Sequence, residues 1–204
     1  MNSTRLVEWL VVWVYRLSPY AWLDAGMARM ERRDHGRWRQ ARYIASECYI
    51  VGWLVLSVLL WWQASELPAW LAWPVLLRIA GILNKEIGVV LFGRCKITPG
   101  RIVAATGRTI VLALENYATA ALLMAFVYTK MGRFHLPNGE SGVLDGGHAL
   151  VQSLSVQFSM SGAYRPLDLD TWVLVMAQSG FSFLFSLIVI SLFVSLLDIG
   201  SDRH

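Results

Sequence analysis

The run HALVQSLSVQFSMSGAYRP at residues 148–166 decides how the chain is read. From His148 to Ser161 it is apolar or hydroxyl-rich, and it ends at Gly162, ahead of Tyr164, Arg165 and Pro166. A helix of this length is too short to cross a hydrocarbon core, which takes ~20 residues, but it suits a helix that enters a membrane and turns back. Backbone that turns at membrane depth survives only where protein or water, rather than lipid, meets its free N–H and C=O groups. Several subunits around an axis supply that shelter. Carbonyls freed by the turn are then expected to face a water-filled path and replace an ion's hydration shell.

Outward from this run the chain stays apolar. Thr171 to Leu197 carries no charge, and Thr109 to Thr129 carries only Glu115, so both are expected to span. The fourth span is longer than a bilayer requires and is expected to tilt or to extend past the inner face. Between the two spans lies a Gly-rich loop, Gly132 to Gly147, with Lys130, Arg133, Glu140 and Asp145 at its edges and tip. Upstream, Cys48 to Ser65 is uncharged and, with Ile44 to Glu47, makes a first span ending at Trp61 and Trp62. Glu66-Leu67-Pro68 predicts a turn, followed by a second span that finishes near Leu83 and continues as an amphipathic helix to about Phe92.

Charge orients these segments. Arg29, Arg32, Arg33, Arg37, Arg39 and Arg42 precede the first span, and Arg94, Lys96, Arg101 and Arg108 precede the third. Basic loops stay inside, which predicts cytoplasmic termini and places residues 130 to 170 outside. Leu6 to Leu17 is too short and too charged to span, and reads as an amphipathic helix in the headgroup layer rather than a cleaved leader. The composition agrees: of 204 residues, 56% are hydrophobic and only 16% charged, with ten tryptophans suited to membrane interfaces. The net charge of +4 is grouped between apolar segments, so it reads as topology and not as a nucleic-acid surface. Cys48 and Cys95 fall on the cytoplasmic side and are expected to be inert core thiols.

Residues 149–166 resemble the pore helix and filter of two-span potassium channels, in which a pattern such as S-V-x-T-x-T-T-V-G-Y-G-D precedes a long apolar inner helix. The fourth span, with Gln178 and Gly180, is similar to that inner helix. Leu77 to Ile82, Leu114 to Tyr117 and Phe126 to Tyr128 resemble bacterial membrane proteins that carry such a core. The resemblance implies an all-α integral membrane protein with four transmembrane helices and a re-entrant pore helix and loop. It also implies a homotetramer in a bacterial inner membrane, whose bound species are the bilayer and a permeant monovalent cation, K+ or Na+, with no other cofactor. The implied organisation is an N-terminal interfacial segment 1–43, peripheral spans 44–92, a cytoplasmic linker 93–108 and a pore domain 109–198. By the same resemblance Ser159, Met160, Ser161, Gly162, Ala163 and Tyr164 are the selectivity filter, Arg165 is the pore mouth and Gly180 is the inner-helix hinge.

The departures are specific. Met160 stands where the family has a hydroxyl, Tyr164 where it has its second glycine, and Arg165 where its mouth has an acid. The implied activity is therefore passive conduction of monovalent cations with weak preference for potassium. The reading from another class is a non-conducting scaffold or partner subunit that keeps the channel fold.

Other residues have two readings each. Glu115, an intramembrane charge, is a functional candidate or a structural partner of Arg108 or Arg78, and burial of charge favours pairing. Arg78 is expected to snorkel. Gly180 is a hinge or a small residue for close helix packing. His135 and His148 can sense pH or bind a metal, but without a clustered acid they read as solvated loop residues. No nucleophile, phosphate loop or metal spacing points to an enzyme.

Overall fold

The computed structural model describes residues 3–17, 19–31, 35–92, 102–136, 140–159 and 161–201. They are mostly helical: α1 Ser3–Leu17, α2 Pro19–Glu31, α3 His35–Trp62, α4 Ala72–Phe92, α5 Ile102–Met131, α6 Gly146–Ser159 and α7 Leu169–Ser201. A two-stranded antiparallel hairpin, β1 Phe134–His135 and β2 Ser141–Gly142, lies between α5 and α6. Among the described residues, three helical segments are long and apolar enough to cross a membrane: Ile44–Trp62, Ile110–Met131 and Leu169–Ser191. The second span expected from the sequence is not among these candidates. Its segment lies within α4, where Arg78, Lys85 and Glu86 interrupt the apolar run.

Helix boundaries move outward from the sequence reading. The basic stretch before the first span is already helical from His35, and α5 begins at Ile102, inside the expected linker. The turn at 63–68 forms as expected, and Pro68 leads into a 3₁₀ turn, Ala69–Leu71. Cys48 is exposed on α3, correcting its reading as a core thiol. Ser46 and Ile50 are buried, and Cys48, two residues from each, faces away from that stripe. Cys95 lies outside the described residues.

The chain divides into two compact units, to both of which α3, α4, α5 and α7 contribute. In the unit holding residues up to 52, 81–115 and 188 onward, α1 rests on α4 through Val11. Its side chain is buried, its carbonyl accepts a hydrogen bond from Asn84 Nδ2 at 2.9 Å, and Gly88 leaves room for its methyl group. The rest of α1 turns Leu6, Val7, Trp9, Leu10, Trp13 and Val14 outward, with Trp9 stacked on Trp13. The indole of Trp22 on α2 donates back to Arg16 O at 2.8 Å.

The other unit holds residues 53–80 and 116–187. Its core is α5, on which Leu123 to Tyr128 are buried in an unbroken run, a pattern that requires neighbours on every side of the helix. Phe134 closes the C-terminal end of α5. Its ring packs edge-on against Tyr128 at 5.4 Å and occupies the space a side chain at Gly132 would need. Trp62, Trp70 and Trp73, all exposed, cluster around the α3–α4 turn.

Candidate functional site

α6 is only 14 residues long, and its two faces are inverted relative to a helix of a soluble protein. Its buried stripe, Ala149, Gln152, Ser153, Val156 and Gln157, follows helical spacing and is mostly polar. Val151, Leu154 and Phe158 point outward, Phe158 with 75% of its surface exposed. α7 mixes the two: Thr171, Gln178 and Ser182 are buried beside Val175, Phe181, Phe185 and Ile188, while Trp172, Val173, Met176, Phe183, Leu184, Leu187 and Ile190 are exposed. Where the surrounding medium is as apolar as leucine, polar groups collect inside and satisfy one another.

They do so along one connected seam. Tyr128 Oη donates to Gln178 Oε1 at 2.6 Å, and Gln178 Nε2 donates to Ser153 O, Ser153 Oγ and Gln157 Oε1 at 2.9 to 3.0 Å. Ser182 Oγ donates to Gln157 Oε1 at 3.2 Å, and Ser153 Oγ donates to Ala121 O at 2.7 Å. Tyr117 and Gln157 exchange two bonds: Tyr117 Oη donates to Gln157 O at 2.6 Å, and Gln157 Nε2 donates to Tyr117 O at 3.1 Å. Phe181 and Phe185 stack against the Tyr117 ring. The seam joins α5, α6 and α7; the sequence reading had named Tyr117, Tyr128 and Gln178 within resembling stretches but had not joined them. Its signal was present as two glutamines, Gln157 and Gln178, inside uncharged apolar runs, each needing a buried partner.

Both ends of the segment that contains α6 lie at one place. His135 N donates to Arg165 O and Leu167 N donates to Arg133 O, each at 2.9 Å, and Phe134 bridges Pro166. The chain therefore leaves the β1 strand, runs through the hairpin and down α6, and returns through residues 161–165 to where it started. The indole of Trp61 fastens the start of α6 to the end of α3 by donating to Gly146 O at 2.8 Å.

Two aspartates begin the helices on either side of the loop. Asp145 caps α6 by accepting His148 N at 2.9 Å, and Asp168 caps α7 by accepting Thr171 N at 2.9 Å. The His148 backbone N–H, and then its ring, hold the Asp145 carboxyl below its ordinary value. The Thr171 side chain and backbone N–H do the same for Asp168. His148 Nδ1 lies 2.6 Å from Asp145 Oδ2, and because a carboxylate only accepts, Nδ1 carries the proton. The histidine thus has the acid partner that the sequence reading had not given it. Its ring also meets Tyr164 edge-on at 5.6 Å. Among the described residues no group of three His, Cys, Asp or Glu is placed to hold a metal ion.

Of the residues expected to form a filter, Ser159, Ser161, Gly162 and Ala163 are exposed, Tyr164 is half-buried and Met160 lies outside the described residues. Ser159 Oγ reaches Ser155 O, Ser161 O and Ser161 Oγ, so the end of α6 presents hydroxyl and carbonyl oxygens. Arg165 is exposed beside them. Gly180 faces outward on an unbroken α7 with open space around it, away from this loop's supports. Glu115 is half-buried on α5 and engaged by a neighbour. The Arg78 guanidinium sits 4.8 Å from the centre of the Trp53 ring, a cation–π contact.

These features define a class: a helical membrane protein with a polar seam inside a largely apolar core, an apolar exterior and a short helix tucked between two long ones. Compared with known proteins, the chain matches no family model, no curated protein and no solved structure.

Proposed function

We propose that residues 109–197 form the pore module of a homotetrameric membrane channel that passes monovalent cations, K+ or Na+, passively and with weak selectivity. The observation that supports this most is the closed path of the loop: the chain descends a 14-residue helix and returns to a backbone ladder at its own starting point. Such a path leaves peptide groups of 161–164 at the depth of α6, where lipid cannot satisfy them and copies of the same loop around water can. In this reading α6 is re-entrant, α4 crosses as a further span, and the apolar outer sides of α6 and α7 meet neighbouring subunits or lipid. The basic patches keep both termini in the cytoplasm of a bacterial cell, with the loop opening outward.

A non-conducting scaffold is the second reading, and Arg165 favours it. A ring of four guanidinium groups at the mouth repels cations, an effect that salt screens over ~8 Å at physiological ionic strength. Planar-bilayer recording on protein shown by native mass to be tetrameric separates the two. Wild type is expected to pass a cation current, and Arg165→Asp to raise it most at low salt. Silence from both would establish the scaffold, anion current would mean that the arginine ring has reversed the pore's sign, and a monomeric mass would remove the pore.

A further inference from the structure

Gln152 is fully buried on α6, and its two amide atoms have unequal fates. Oε1 accepts the backbone N–H of Tyr164 at 2.7 Å. That N–H can only donate, so the orientation of the carboxamide is fixed and Nε2 must point the other way. Nε2 is buried and has no hydrogen-bond partner among the described residues. It lies over Gly162, where the carboxamide fills the space in which a side chain at that position would stand. One side chain therefore reads two positions of the loop, by a hydrogen bond at 164 and by exclusion at 162.

We propose that Gln152 is the positioning residue that sets the backbone of residues 162–164, and with it the direction in which the loop's carbonyls face. Gly162 is required because the carboxamide takes the place of its side chain, whichever residues stand at 160 and 163. The buried Oε1 acceptor makes the arrangement specific. An apolar side chain of the same length fills the volume but leaves the Tyr164 N–H without an acceptor, and a bulkier residue at 162 drives the amide off its acceptor site. The consequence for ion preference rests on the channel reading, but the placement of the loop does not.

The test is site-resolved hydrogen exchange of the Tyr164 amide in tyrosine-labelled protein in nanodiscs, with the signal assigned by its loss of register in Tyr164→Phe. Gln152→Met is expected to speed that exchange about tenfold while the amides of α5 and α7 keep their protection. Gln152→Glu, which keeps an acceptor in place, is expected to restore it to within about threefold of wild type. Gly162→Ala leaves Gln152 intact yet should speed Tyr164 exchange as Gln152→Met does, and it decides the matter if that variant does not fold. Unchanged Tyr164 exchange in both Gln152→Met and Gly162→Ala, or an equal loss of protection across α5, α6 and α7, would overturn the proposal. Because the readout needs no current, a silent channel would count against the pore and not against Gln152.

Discussion

Asp145 is the residue at which the chemistry of the start of α6 is most open to test. Its carboxylate accepts the His148 backbone N–H at the start of α6, so Asp145→Ala is expected to cost about 1 kcal/mol by removing the cap. The folded-state pKa is depressed below the ordinary 3.8, so the carboxylate's stabilisation is complete above that value and is lost as pH falls through the folded value. With 65% of the side chain exposed, solvent screens the effect, and the acid-linked part is small. Asp145→Asn keeps a capping oxygen while removing the titration. Its thermal unfolding, followed from about pH 7 to about pH 3, should be flatter than that of wild type; an identical acid profile would show that Asp145 is not linked to folding. At this scale the sequence was hard to read. The D-x-x-H and D-x-x-T spacings at 145–148 and 168–171 are helix-start signals, but each sits beside a loop whose glycines and prolines drew the reading toward an irregular connection.

The seam belongs to the scale of helices. The two N–H groups of Gln178 Nε2 are shared among Ser153 O, Ser153 Oγ and Gln157 Oε1, and its Oε1 accepts from Tyr128, so Gln178→Leu strands Tyr128 Oη and weakens the hold on Ser153 and Gln157. An orphaned buried polar group costs about 1–3 kcal/mol in water-soluble proteins. In a membrane the unfolded reference also finds partners, and single bonds average about 0.6 kcal/mol. The membrane value governs here, which predicts a loss of about 2 kcal/mol for Gln178→Leu, summed over several bonds, and about 0.6 kcal/mol for Tyr128→Phe. The double variant should cost less than the sum, because Tyr128 has already lost its partner. Full additivity in a mutant cycle measured by reversible unfolding in detergent would mean that the two side chains do not share a bond. The long helices were legible because apolar runs and charges mark them directly. The seam was not, because a glutamine in an apolar run says that a partner exists without saying on which helix.

At the scale of the whole molecule, the sequence read α3, α5 and α7 as spans and the same three segments have the length and apolarity to cross. The segment containing α4 stays apart because composition decides the question, and three charges in one helix defeat it where packing can shelter them. Arg78 over Trp53 is such a shelter. The proposed orientation predicts that, in intact cells, an impermeant maleimide labels Ser141→Cys in the hairpin and leaves native Cys95 untouched. The opposite pattern would invert the topology and place the loop's mouth in the cytoplasm.

The ladder that closes the loop is built from main-chain atoms alone: the N–H groups of residues 135 and 167 and the carbonyls of 165 and 133. Such a fastening is blind to side chains. Pro166 sits within it at no cost, because the donors used are those of its neighbours, and only a proline at 135 or 167 would remove one. Substitutions between the two fastenings can therefore change what the loop does to an ion, or whether it does anything, while leaving its ends tied. That separates the frame from the function, and on the proposed channel reading it lets methionine, tyrosine and arginine stand at positions 160, 164 and 165 with the loop's ends still tied.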